Sequence, residues 1–366
     1  MTEIEASIVL NMLAHLGPIR FKKLKEYFGS ALSILQARED ALQAVEGIGK
    51  EVAASIRSWE QQVDLRAELT HVENVGARVL TLDDPGYPPL LRDIHDPPIL
   101  LYCLGTLEKR DQEQGIAIVG TREASHYALE ATKKIGYQLA YAGLTIYSGL
   151  ARGIDTIAHQ AALAAHGRTV AILGSGLVHF YPPENIPLAQ KIVSSAGGAL
   201  LSEFPMNTRP SKHTFPKRNR IISGCAFGLL VMEAGRRSGA LISAHEALEQ
   251  GRSLYSIPGR IDHPRALGSN RLLQQGAKLV MEAEDILNDF PMLFSQVPRL
   301  EKSKAPPALH GEELLLYQTL GDDPMPIDEI IAKSCLPAAT VSSRLLALEL
   351  SHHVQSVPGG RYIKVL

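Results

Sequence analysis

Ile116-Ala117-Ile118-Val119-Gly120-Thr121-Arg122 is an apolar run that stops on a glycine and a cation. Four uncharged apolar residues in a row, without polar alternation, read as a strand covered on both faces. An amphipathic helix from about Glu123 to Tyr141 follows, then the run Leu144-Thr145-Ile146-Tyr147, then a helix from Ile154 to Ala165. Working outward, Thr169 to Leu173, Ala199 to Glu203, Gly228 to Met232 and Leu254 to Ile257 continue the strand series. Apolar strands alternating with helices predict an α/β core, a Rossmann-like doubly wound and mostly parallel sheet, over residues 76–290.

Different patterns flank this core. Residues 1–75 read as short helices, with apolar positions at Ile8, Leu10, Met12, Leu13 and Leu16 before a break at Gly17-Pro18. Within them Val45-Glu46-Gly47-Ile48-Gly49-Lys50 has the form of a helix-hairpin-helix turn, in which glycines let backbone amides approach a phosphate. A tight connector in a small helical (SAM-like) bundle uses the same residues, so this turn alone decides nothing. Residues 291–310 carry four prolines with little periodicity and read as a linker. From 311 to 366, three short helices precede Val354 to Val357, a Pro358-Gly359-Gly360 turn and Tyr362 to Val365, the order of a winged helix.

Composition bounds the functional classes. In 366 residues, 45% hydrophobic and 21% charged, the chain has the balance of a folded globular protein. No stretch approaches 18 uncharged apolar residues, and Ile8 to Leu16 lacks a basic leader, so a cytoplasmic protein with no membrane contact is expected. Cys103, Cys225 and Cys335 are far apart and form no CxxC pair, which argues against a disulfide framework or a cysteine zinc site. The net charge of −2 hides an asymmetry: Pro205 to Lys278 holds twelve Lys/Arg against four Asp/Glu, a local +8. A basic segment inside an acidic chain suits a polyanionic ligand.

Loops after the strands form the usual ligand crevice of such a sheet. Here they read Gly120-Thr121-Arg122, Ser148 to Asp155, Gly174-Ser175-Gly176, and Glu233-Ala234-Gly235 leading to Ser238-Gly239-Ala240. Small residues at helix starts expose amides that suit phosphates. Gly120 is followed by Thr-Arg-Glu rather than a GxGxxG, and no GxxxxGK[ST], HExxH or GxSxG occurs, so neither a dinucleotide site nor a familiar hydrolase motif is indicated. No cofactor, metal or catalytic residue is expected.

The densest basic run, Thr208 to Arg220, contains no acid and one phenylalanine, Phe215. Cations track a phosphate backbone and a lone aromatic stacks a base, so the run favours a single strand over a duplex. Other readings stand beside this one. Arg218 and Arg220 fit structural pairs with Glu203 or Asp155, Phe215 fits a core position, and Asp155 fits a helix-start cap as well as a catalytic carboxylate. His213 and His263 have no second partner at ligand spacing.

Eight segments in order carry a family resemblance: IVGTR (118–122), SGLARGIDTIAHQAAL (148–163), VAILGSG (170–176), Tyr181-Pro182-Pro183-Glu184-Asn185, SEFP (202–205), FPKRNRIISG (215–224), SGALISAHEALEQGR (238–252), and IPG (257–259) with LGSNRLLQQGA (267–277). Together they resemble the DprA/Smf family of DNA-processing proteins from about Pro85 to Phe290. The resemblance implies a non-enzymatic homodimer that protects single-stranded DNA and loads RecA recombinase on it in natural transformation or recombination. It maps the DNA pocket onto Arg122, Lys212 and Phe215, with the Gly174, Ser175, Gly176 and Ser238, Gly239 loops around them and Lys217, Arg218 and Asn219 adjoining. Thr121 stands where serine is common, and keeps the hydroxyl.

Two competing readings remain. A nucleotide-derivative hydrolase of the same superfamily would cleave an N-glycosidic bond with a carboxylate and an arginine, but wants a Pro-Gly-Gly turn after a strand, and the only one lies at Pro358. A winged-helix transcription factor would need several cations on its recognition helix, where Arg344 stands alone.

Overall fold

The computed structural model describes residues 1–194, 197–290, 309–321, 323–351 and 353–364. Nine strands form its main sheet: β1 (Arg78–Thr81), β2 (Leu100–Gly105), β3 (Gly115–Val119), β4 (Thr145–Ser148), β5 (Thr169–Ile172), β6 (Gly198–Ser202), β7 (Gly228–Val231), β8 (Ser253–Ser256) and β9 (Lys278–Leu279). Every residue of β3 to β7 is buried, as strands between two helical layers require. The order is β1-β2-β6-β5-β4-β3-β7-β8-β9, with β6 through β9 parallel and β1 and β2 antiparallel at one edge. From β3 the chain winds through β4, β5 and β6 to one side, then crosses to β7 and winds the other way. The expected doubly wound core is therefore present, and its switch point lies between β3 and β7.

Two local differences from the sequence reading have identifiable causes. The helix after β3 runs His126–Tyr141 rather than from Glu123. Thr121 donates its N–H to the Glu233 carbonyl at 2.8 Å, and its hydroxyl accepts the Glu123 N–H at 3.3 Å, which holds this stretch as a loop. The antiparallel edge pair β1 and β2 was not foreseen.

The N-terminal helices Glu3–Met12, Pro18–Phe28, Ala31–Gln36, Glu39–Gln43, Lys50–Arg57 and Leu65–Val75 have a core of their own, including Leu10, Phe21, Leu24, Ile34 and Ile56. Ile8 packs instead with Leu100, Tyr102 and Leu200 of the sheet, and Met12 packs against both clusters. These helices and the nine-stranded sheet belong to one compact unit.

The second, smaller unit contains helices Gly311–Thr319, Ile327–Ser334 and Ala338–Leu350 with β10 (Met325–Pro326), β11 (Val354–Val357) and β12 (Arg361–Lys364), in the order β10-β12-β11. Leu316, Leu320, Ile330, Val341, Leu345 and Leu348 form its core, the winged-helix arrangement. Most of the linker assigned to 291–310, and Val365, lie outside the described residues. Among the described residues no helix is long and apolar enough to cross a membrane.

Candidate nucleic-acid interface

At the switch point a cavity of about 680 Å³ opens between the loops that follow β3 and β7. Its floor is built from buried charge. Asp155 accepts the Gly149 and Ala151 amides on Oδ2 at 3.1 and 3.3 Å, which fixes the loop after β4. Arg218, 4% exposed, donates Nη1 to the carbonyls of Gly149, at 2.5 Å, and Ile172. A Cβ on Gly149 would stand 2.2 Å from that nitrogen, so this position has room for glycine alone. Burial pulls the Arg218 guanidinium down to about 10 and pushes the Asp155 carboxyl up, each opposed by the other's charge.

Beneath the same loop, His159 is fully buried and lowered to about 3, by burial first and then by Arg218. The Thr169 hydroxyl already donates to the Ile146 carbonyl, so it accepts from His159 Nδ1–H at 2.6 Å. That assigns the lone pair to Nε2, which accepts the Leu150 N–H at 3.3 Å. His159 is thus a neutral brace for Leu150, whose φ of 56° is unusual for a residue with a side chain.

The walls carry the exposed charge. Arg122 places its guanidinium 5.0 Å from the centre of the half-buried Phe215 ring. Lys212, Arg237 and Arg265 line the same cavity. Among the described residues Arg122, Lys212 and Arg237 have no carboxylate partner, while Arg265 approaches Glu123 at 3.8 Å across an exposed gap, a pair of little strength. The outcome is a cation-rimmed cleft with an aromatic ring in its wall.

Comparison with known proteins identifies the family. The family model described as DNA recombination-mediator protein A matches residues 78–291, and that of the DprA winged helix domain matches 301–360. A protein Smf from Synechocystis is 35% identical over 379 residues, covering 94% of this chain and 95% of its own. The chain belongs to the DprA/Smf family. The DNA processing protein DprA of Bacillus subtilis is 40% identical over 216 residues, 59% of this chain and 72% of that one. The X-ray structure of DNA processing protein A from Streptococcus pneumoniae superposes with a TM-score of 0.67 at 33% identity, covering 79% of this chain and 98% of the other. The Helicobacter pylori protein, whose structure concerns its single-stranded DNA binding mode, gives 0.53 at 28% identity over 60% of this chain and 99% of that one.

Within this family member the expected site residues separate by position. Arg122, Lys212, Phe215, Arg218, Asn219, Ser238 and Gly239 share the cavity. Gly174 lies behind Phe215, where a Cβ would stand 2.7 Å from the ring. Ser175 and Gly176 do not line it: the Ser175 hydroxyl donates to the His179 carbonyl at 2.5 Å, and the Gly176 N–H donates to that of Thr208 at 2.9 Å. Through Gly176 that loop braces the basic segment. Lys217 is exposed on the Thr214–Gly224 helix and lies outside the lining. Arg220 binds Glu203 and the Asp96 carboxylate, the structural pairing the sequence left open.

Arg237 and Arg265 also line the cavity and were not among the residues the sequence singled out. Arg236-Arg237 sits between the two small-residue segments quoted after β7, so adjacency to that loop was the available signal. Nothing local marked Arg265, which the fold brings back after β8.

Proposed function

We propose that this protein binds and protects single-stranded DNA in the cleft between the ends of β3 and β7 and loads RecA on it, as a mediator of transformation or recombination that catalyses no step itself. The observation that carries the reading is the combination of Arg122, Lys212 and Arg237, none with a carboxylate partner among the described residues, around the half-buried Phe215 ring. Cations without internal partners release counterions when they meet phosphates, and a ring beside them takes an unstacked base. The single-strand binding stated for the Helicobacter pylori relative supports the same polymer. Asp155 lines the floor with its carboxylate engaged by two amides, and His159 is neutral and buried, so neither is arranged to move a proton to a ligand.

Titration of a dT oligonucleotide against a duplex of equal length over a range of salt tests the polymer preference. Tighter binding to the single strand, weakening as salt rises, is expected. Preference for duplex overturns the reading in favour of a transcription factor. Release of a base from a nucleoside monophosphate would replace it with the hydrolase, for which Asp155 and Arg218 are the carboxylate and arginine at the floor. Loading is tested by RecA filament growth on strands already coated with a single-strand-binding protein, which this protein is expected to accelerate. A homodimer with two clefts would bind long strands more tightly than short ones.

A further inference from the structure

We propose that Tyr181 and Arg152 form a second step of the single-strand track, one stacking surface with one phosphate contact, and that Glu184 masks it until nucleic acid arrives. The inference rests on the single-strand reading above and extends it beyond the cavity, whose lining includes neither Tyr181 nor Arg152.

Three observations carry it. The ring-and-guanidinium unit of the cavity wall is repeated: Arg122 lies 5.0 Å from the centre of Phe215, and Arg152 lies 5.6 Å from the centre of Tyr181. The two rings are neighbours, 5.7 Å apart and inclined at 51°. That spacing exceeds the ~3.4 Å rise per base along one duplex strand. Bases laid on two rings inclined at 51° cannot share one continuous stack, which a single strand permits and a duplex does not. The second unit is also held in place. Asn185, buried, donates to the Leu150 carbonyl at 2.8 Å and the Thr156 hydroxyl at 2.9 Å, tying the Tyr181 loop to the Arg152 loop.

What distinguishes the two units is their charge. Arg122 has no carboxylate partner among the described residues, whereas Arg152 Nε is bound by a Glu184 carboxylate oxygen and Nη1 donates to the Tyr181 hydroxyl at 3.3 Å. The carboxylate occupies the place a phosphate oxygen takes on a guanidinium fork. Both partners of the pair are about half exposed, at 48% and 51%, so the bond is readily exchanged. A phosphodiester that displaces Glu184 gains the arginine and brings its base against Tyr181.

The test is fluorescence anisotropy of the full chain with dT oligonucleotides at several salt concentrations, alongside thermal melting. E184Q is expected to bind roughly 1.4- to 5-fold more tightly, the strength of an exposed ion pair, with a salt slope steeper by about 0.7. R152Q should cancel that gain in the double variant. Y181L should lose roughly 5- to 150-fold, and Y181F, which keeps the ring, should lose much less. If the pair is only a staple between loops, E184Q lowers the melting temperature and leaves affinity and slope as in the parent, which overturns the inference while parental single-strand binding stands. A parent that binds no single strand removes both readings.

Discussion

Arg218 is almost fully buried with Nη1 on two backbone carbonyls, while Arg122, in the same cavity, is exposed and meets the face of Phe215. Their substitutions should therefore separate binding from folding. Arg122→Ala and Lys212→Ala are each expected to weaken dT binding and flatten its salt slope by about 0.7 per lost phosphate contact, with stability within about 0.5 kcal/mol of the parent. Arg218→Met leaves Asp155 buried without its countercharge and should cost about 3–5 kcal/mol, read by chemical denaturation. Parental DNA binding in both Arg122 and Lys212 variants would show that the cleft is not the site. His159 adds a pH dependence. Its folded value, about 3, lies below the ordinary 6.5, so from pH 6.5 down to 3 the unfolded chain binds a proton that the folded one does not. Stability conferred by the neutral ring is then complete above pH 6.5 and lost as pH falls through that window, at about 1.4 kcal/mol per unit. His159→Gln should remove this part of the acid sensitivity, and equal slopes in parent and variant would contradict it.

At the scale of elements, the strands were legible because parallel strands buried on both faces are rich in apolar residues, and β3 to β7, buried throughout, are each centred on such residues. The edge was not. β1 is four residues with Arg78 exposed, and its pairing with β2 depends on partners that sequence spacing does not indicate. Loops divided in the same way. Gly120-Thr121-Arg122 and Ser238-Gly239 line the cavity as their positions after strands imply, whereas Gly174-Ser175-Gly176, written in the same small residues, turns its Gly176 amide to Thr208. Composition shows that a loop has room for close approach; only the fold decides what approaches. In the basic run, helical register sends Arg218 and Arg220 inward and Lys217 outward, a distinction that a dense run of cations conceals. Gly174 gives this a test. Alanine there places a methyl 2.7 Å from the Phe215 ring, so the half-buried ring must shift from its place. Folding should be little changed, while dT affinity falls by up to the ~1–3 kcal/mol of one stacked base. Undiminished affinity in Gly174→Ala would mean that Phe215, as placed here, stacks nothing.

For the molecule as a whole, charge and packing units coincide. The +8 segment from Pro205 to Lys278, and every residue lining the cleft, belong to the larger unit. The smaller unit has the architecture of a duplex reader without its charge: Arg344, the single cation of the Ala338–Leu350 helix, is bound by Glu312 at 3.0 Å and Glu313 at 3.7 Å. Each unit also has its own buried apolar cluster, which is the condition for folding apart. Deleting residues 305–366 is therefore expected to leave a folded core that binds dT oligonucleotides with the affinity and salt slope of the full chain. Circular dichroism with a cooperative melt establishes folding, and anisotropy at two salt concentrations reads the contact to phosphates. A truncated protein that melts cooperatively yet no longer binds would assign the main DNA contact to the winged helix. If it binds like the parent but fails to speed RecA assembly, the winged helix instead serves the partner. Its small exposed charge and its exposed leucines, Leu314, Leu315 and Leu346, suit a protein surface better than a phosphate backbone.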